Sequence, residues 1–106
     1  MGFSEEYIQR VWAKGRIVQG QDSAKWRKDE CDAWIGRAYY GNRDNKFGWE
    51  IDHIKPESQG GSDELQNLRP LQWQNNASKQ DGRLVCVVTS SGNDNVSIVT
   101  KTLLGM

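Results

Sequence analysis

The chain has a single histidine, His53, and an aspartate, Asp52, directly precedes it. An imidazole with an ordinary pKa of about 6.5 can take a proton from water near neutral pH. A carboxylate can hold a hard cation, which prefers oxygen donors. Two asparagines, Asn67 and Asn76, follow in later segments, and an amide carbonyl is a neutral oxygen donor. Phosphodiester hydrolysis asks for a base, a cation and something that holds the base; an imidazole suits the first need, and a carboxylate with an amide carbonyl suits the second. Each alone has an ordinary reading. A lone histidine is more often structural, and the asparagines read as turn and helix-surface polarity.

The elements that must position these residues follow from patterning. Trp49, Ile51 and His53 alternate with Glu50, Asp52 and Ile54, which is a strand pattern. Adjacent strand residues point to opposite faces, so Asp52 and His53 share a site only if the strand twists or ends there. Pro56 close behind supplies such an end, and Gly60-Gly61-Ser62-Asp63 forces a long loop. Leu68–Leu71 returns as a second strand, which Pro70 confines to an edge or an early end. Trp73–Gln80 is helix-compatible with Gly82 as a stop, and so short a helix must dock on the strands.

Around this β-β-α unit, Ser4 caps an expected helix over Ser4–Lys14. Glu5 and Glu6 stand in its first turn, Tyr7, Ile8, Val11 and Trp12 recur at helical spacing, and Gly15 stops it. Arg16–Gln19 reads as a short extended piece. Trp26–Tyr40 is compatible with a strand pair or a short helix, and Gly41–Asn45 is a polar turn. Leu84–Thr89 and Val96–Thr100 read as a C-terminal hairpin about a loop at 90–95.

The segments Glu50-Ile51-Asp52-His53-Ile54-Lys55-Pro56, Gly60-Gly61, Asn67-Leu68 and Asn75-Asn76-Ala77-Ser78-Lys79 together resemble the HNH endonuclease family, over Trp49 to about Lys79. Upstream, Trp26-Arg27-Lys28-Asp29-Glu30-Cys31 and Tyr40-Gly41-Asn42 are similar to a subgroup that lacks zinc knuckles. The resemblance implies a small α+β single domain over 1–106. It would hold a β-β-α metal motif at about 47–82, an N-terminal helix and a C-terminal β-hairpin at about 84–101. It implies that His53 is the general base, Asp52 a metal ligand, and Asn67 the brace of the loop that carries the base. Asn76 would be the last metal ligand, at a position where many members have histidine and some asparagine.

Gln72 and Asn75 stand where many members have their last cysteine pair, so no structural zinc is expected, and the five tryptophans would stabilise the fold instead. The expected cofactor is one divalent cation, Mg²⁺ or Mn²⁺, with Ni²⁺ as a further candidate. The expected partner is double-stranded DNA, contacted by Lys79, Lys55, Arg69, Arg27 and Lys28, with Arg37 and Arg83 as further candidates. A solvated-surface reading stands beside each of them. A nucleic-acid-binding module with this fold and little catalysis is the rival reading. A structural protein with an accidental motif is a third.

Composition constrains less. The 106 residues suit one domain, and 14 basic against 14 acidic residues give zero net charge. A phosphate site must therefore come from local arrangement of charge. No apolar run is long enough for a membrane span, and the N-terminus lacks the basic start and apolar core of a secretory signal. Met1-Gly2 alone is a weak myristoylation cue. Cys31 and Cys86 form neither a CxxC pair nor a dense framework, and are expected as buried or semi-buried thiols in a reducing cytoplasm, in a bacterial or phage-encoded protein. A larger protein partner would suit a chain this small.

Overall fold

A computed structural model describes residues 2–98. The first helix, α1 (Glu5–Trp12), starts where Ser4 Oγ accepts the amide of Tyr7, and Glu5 and Glu6 lie at its positive end. Ile8, Val11 and Trp12 fall on one face at helical spacing and enter the core. The stretch 26–40 resolves into a strand pair, β1 (Trp26–Lys28) against β2 (Trp34–Gly36), followed by a 3-10 turn over Arg37–Tyr39. Arg16 makes an isolated bridge to Lys28; the rest of the expected extended piece joins no strand.

The central hairpin is β3 (Trp49–His53) against β4 (Leu68–Gln72), antiparallel, with Asp52 opposite Arg69 and His53 opposite Leu68. Pro70 is tolerated inside β4 because, among the described residues, this strand pairs only with β3, so one side of it needs no ladder donor. Trp49 and Leu68 are fully buried and meet Ile8, Val11, Trp12 and Ile35 in the core, which lies between α1 and this hairpin. The rings of Trp12 and Trp49 sit 5.3 Å apart, and Tyr40 packs edge-on to Trp49 at 4.9 Å.

The second helix, α2 (Trp73–Ala77), is shorter than the expected span to Gln80. Ser78 ends it, with its hydroxyl donating to the carbonyl of Gln74, so Lys79 lies beyond the helix. The C-terminal hairpin is also displaced from its expected position. It pairs β5 (Val88–Ser91) with β6 (Asp94–Ser97) about a turn at Gly92, and Ser90 faces Asn95 across the ladder. Four residues assigned to the loop from the sequence, Ser90, Ser91, Asp94 and Asn95, are thus paired strand residues, and Leu84–Val87 lies outside the ladder. The end of the expected second strand, from residue 99 on, lies outside the described residues.

The cysteines are not free thiols. Cys31 and Cys86 are joined in a disulfide, with their Cα atoms 5.5 Å apart. The bond ties the turn after β1 to the segment that leads into β5. The chain is a small α+β unit with three two-stranded antiparallel sheets and two helices among the described residues.

Candidate active site

Strand β3 lies between the two helices, and its alternation sorts the chemistry onto two faces. Trp49, Ile51 and His53 face the side of α1, where Phe3 stacks on Tyr7 and its ring centroid lies 6.1 Å from that of His53. Glu50 and Asp52 face the side of α2. There Asn76 Nδ2 donates to Glu50 at 2.8 Å, and Lys79 Nζ donates to Asp52 at 2.5 Å.

His53 is mostly covered, and two exposed carboxylates attend it. Nε2 lies 2.7 Å from Asp63 Oδ1, a hydrogen bond that holds the ring. Nδ1 lies 3.9 Å from Glu57 Oε1, too far for a hydrogen bond. One donor atom each from His53, Glu57 and Asp63 lie within 4.8 Å of one another, a mixed nitrogen and oxygen set. Sequence reading missed both acids. Glu57 follows His53 by four residues and Asp63 follows the double glycine, but no periodicity links a loop acid to a strand imidazole.

The loop that brings those acids back is fixed by Asn67. Its Oδ1 accepts the amide of Lys55 at 2.8 Å, and its Nδ2 donates to the carbonyls of Lys55 and Ser62 at 3.1 and 2.8 Å. Its own carbonyl accepts the amide of Ile54, one step beyond the β3–β4 ladder. One side chain therefore spans both ends of the loop immediately after His53. The two glycines allow that path for different reasons. Gly60 has φ +87°, and a Cβ there would meet only the Lys55 ammonium at an ordinary 3.9 Å, whereas a Cβ on Gly61 would fall 1.7 Å from the carbonyl oxygen of Lys55.

On the other face, Asp52 is buried with both oxygens in ion pairs. Arg69 Nε donates to Oδ2 at 2.7 Å and Lys79 Nζ to Oδ1 at 2.5 Å. A buried carboxylate needs such partners. Arg69 also holds Glu30 at 3.0 Å, and Lys79 also donates to the carbonyl of His53 at 2.8 Å. Glu50 receives two hydrogen bonds from Arg43, at 2.6 and 2.9 Å. The Arg43 guanidinium holds the Glu50 carboxyl below its ordinary pKa, against the opposing pull of burial, and Asn76 adds to the lowering. Asp52, Asn76 and Glu50 thus supply oxygen donors of the kind a hard cation takes. The donor types fit, but the Asp52 oxygens are already engaged by Lys79 and Arg69.

The remaining basic residues differ in availability. Lys55 is exposed, and its side chain makes no ion pair among the described residues. Arg27 directs its guanidinium to the carbonyls of Ser23, Ala13 and Gly15 and so clasps the end of α1. Lys28 pairs with Asp32 and lies over the Trp34 ring. Arg37 is engaged by Glu5 and Gln9.

At Gln72 and Asn75 the structure builds a buried polar hub, which the sequence reading did not foresee. Both are fully buried. Asp29 accepts the amide of Gln72 and the Nδ2 of Asn75 on one oxygen, and the amides of Cys31 and Ala33 on the other. Burial is the largest influence on Asp29 and lifts its carboxyl above the ordinary value, against the pull of those donors. Gln72 Oε1 caps α2 by accepting the amides of Gln74 and Asn75. Asn75 also binds the backbone of Val87 and Val88, which fixes α2 to the chain entering β5. Hydrogen bonds and the disulfide, as well as tryptophans, hold together the region around these two positions.

No curated protein and no solved structure matches the chain. Residues 41–82 match the family model described as HNH endonuclease, a span that takes in β3, the loop braced by Asn67, β4 and α2. By that match, the segment 41–82 is similar to the HNH endonuclease family.

Proposed function

We propose that the chain is a divalent-metal-dependent endonuclease that hydrolyses phosphodiester bonds of DNA, double-stranded DNA first, with His53 as general base. The observation that carries this reading is a mostly covered imidazole at a strand end, held by Asp63 and backed by a loop that Asn67 braces, all within the matched segment. A carboxylate on Nε2 fixes the ring and favours the tautomer with its lone pair on Nδ1, the atom that would accept a proton from water.

Asp52 and Asn76 are the residues that would hold the cation, Mg²⁺ or Mn²⁺ by their oxygen chemistry and Ni²⁺ less readily. When bound, such an ion supplies charge stabilisation at the phosphate and the departing oxygen. The ion would then lie across β3 from the imidazole, whose lone pair stays free for proton transfer, so base and cation would meet one phosphate only around the strand's end at His53. Lys55 is the exposed cation beside the base and the first choice for a phosphate contact, with Lys79 and Arg69 behind it. Arg27 and Lys28 would reach a phosphate only by leaving their present partners.

No helix among the described residues is long and apolar enough to cross a membrane. The cytoplasmic placement expected from the sequence assumed free thiols, and the Cys31–Cys86 bond suits an oxidising compartment better. The test of function is His53→Ala. Loss of a general base should lower DNA cleavage by about 10²–10⁴-fold, with folding and DNA binding retained. Cleavage at the wild-type rate would remove His53 from the chemistry. Retained DNA binding with no cleavage by the wild type would favour the binding-module reading.

A further inference from the structure

Lys79 occupies an unusual position for a residue expected to meet a phosphate. Its ammonium lies 2.5 Å from Asp52 Oδ1 and 2.8 Å from the carbonyl oxygen of His53, and its side chain is only 13% exposed. A positive group between a carboxylate and a carbonyl on the strand end is already a cation in an oxygen site. We propose that Lys79 is the resident counter-cation of Asp52, and that it yields that place when a nucleic-acid phosphate draws it away. Divalent-ion binding at Asp52 is then coupled to nucleic-acid binding. The inference rests on the proposed role of Asp52 as a ligand.

Charge balance governs this site. Asp52 is buried, and an unpaired carboxylate there would be costly, so the protein without an ion needs an internal cation. A divalent ion on the same oxygen as the Lys79 ammonium would be repelled by it at short range, in a poorly solvated place. Lys79 must therefore move before the ion enters. A phosphate offers it charge-assisted hydrogen bonds equal to those it leaves. Lys79 can make the change on its own stem, because it lies just beyond Ser78, the C-cap of α2, and carries its ammonium on four rotatable carbons. Arg69 cannot. It sits opposite Asp52 in the ladder and is held at its other nitrogen by Glu30, so it keeps one oxygen neutralised throughout. By linkage, whatever factor DNA adds to metal affinity, the metal adds to DNA affinity.

The test is Mn²⁺ affinity of the full chain, read from the paramagnetic resonance of free Mn²⁺, with and without a short duplex carrying cleavage-resistant phosphorothioate linkages. Wild type should bind Mn²⁺ on the order of tenfold tighter with the duplex present. Lys79→Met should bind it on the order of tenfold tighter than wild type without DNA, and should gain nothing further from the duplex. Adding Asp52→Asn to Lys79→Met should abolish the gain, which separates this site from the His53–Glu57–Asp63 cluster.

A folded Lys79→Met protein with unchanged or weaker Mn²⁺ binding overturns the inference, as does a gain that survives Asp52→Asn. Should Lys79→Met fail to fold, wild-type affinity that ignores the duplex overturns it equally. Plasmid cleavage by a wild type showing no such coupling refutes the counter-cation role and leaves the nuclease reading standing. Tighter Mn²⁺ binding by Lys79→Met in a protein that never cleaves DNA does the reverse.

Discussion

Removing the Asn67 side chain should loosen the loop after His53 without unfolding the domain. Asn67→Ala deletes three hydrogen bonds, one from the amide of Lys55 and one each to the carbonyls of Lys55 and Ser62. At about 0.5–1.5 kcal/mol net for each, the sum is about 1.5–4.5 kcal/mol. The side chain is half-buried, so water can reach the freed groups, and the lower part of that range applies, about 1.5–2.5 kcal/mol. Because the loop can open locally, the loss should appear mainly as faster amide exchange at Lys55, by about ten- to sixty-fold at this cost. Core amides in β3 should stay protected, since the core contacts of Trp49 and Leu68 are untouched. Asn67→Asp is a sharper probe. It keeps the acceptor for Lys55 but turns a two-bond donor into a carboxylate oxygen facing two carbonyls, so it should loosen the loop at least as much despite its similar shape. Cleavage should fall in both variants. Wild-type exchange at Lys55 in Asn67→Ala, or an Asn67→Asp protein that behaves as wild type, would show that the brace does not order this loop.

The adjacent glycines should separate by mechanism. Gly60→Ala meets no clash but a positive φ and should cost about 1–2 kcal/mol in a melting experiment, whereas Gly61→Ala drives a methyl into the Lys55 carbonyl and should cost more and abolish cleavage. Equal small effects at both would contradict the loop geometry. The Cys31–Cys86 bond closes a loop of sequence separation 55, worth about 4 kcal/mol by chain entropy, so reduction should lower the melting temperature by more than about 10 °C. A melting temperature insensitive to reductant would refute it. Glu50 has its carboxyl held below the ordinary value by Arg43, so the folded state binds that proton more weakly than the unfolded chain. Its stabilisation is complete above the ordinary glutamate pKa and is lost as pH falls through the lowered value. The melting-temperature advantage of wild type over Glu50→Gln should therefore shrink in acid, and an advantage that grows in acid would contradict the sign.

Local rules made the central hairpin legible. The alternation at Trp49–His53 marks the strand, and Pro56 with the double glycine marks the loop. The same alternation sets Asp52 and His53 on opposite faces unless the strand ends there, as Pro56 suggests; in the structure β3 runs through His53 and their separate partners lie on its two sides. What stayed hidden depended on distant partners. Ser90 and Asn95 looked like loop residues because they are polar, yet Ser90 donates its hydroxyl to Asp32 and Asn95 bonds both the amide and the carbonyl of Trp34, so tertiary contacts satisfy them inside a strand pair. The end of α2 was overrun because Ser78 bonds back to Gln74, a choice its residue type permits but does not dictate. Cysteines so far apart in the chain carry no local sign of pairing. At the site, Asp52 was readable as a ligand type. Its neutralisation by Arg69 and Lys79 needed the strand register and the docking of α2.

Metal-dependent DNA cleavage is tested most directly on supercoiled plasmid. Purified chain is incubated with Mg²⁺ or Mn²⁺, with and without excess chelator, beside His53→Ala under the same conditions. Cleavage products should form with the ion, vanish with the chelator and fall by about 10²–10⁴-fold in His53→Ala. Cleavage that persists in chelator, or an undiminished rate in a folded His53→Ala protein, would contradict the account.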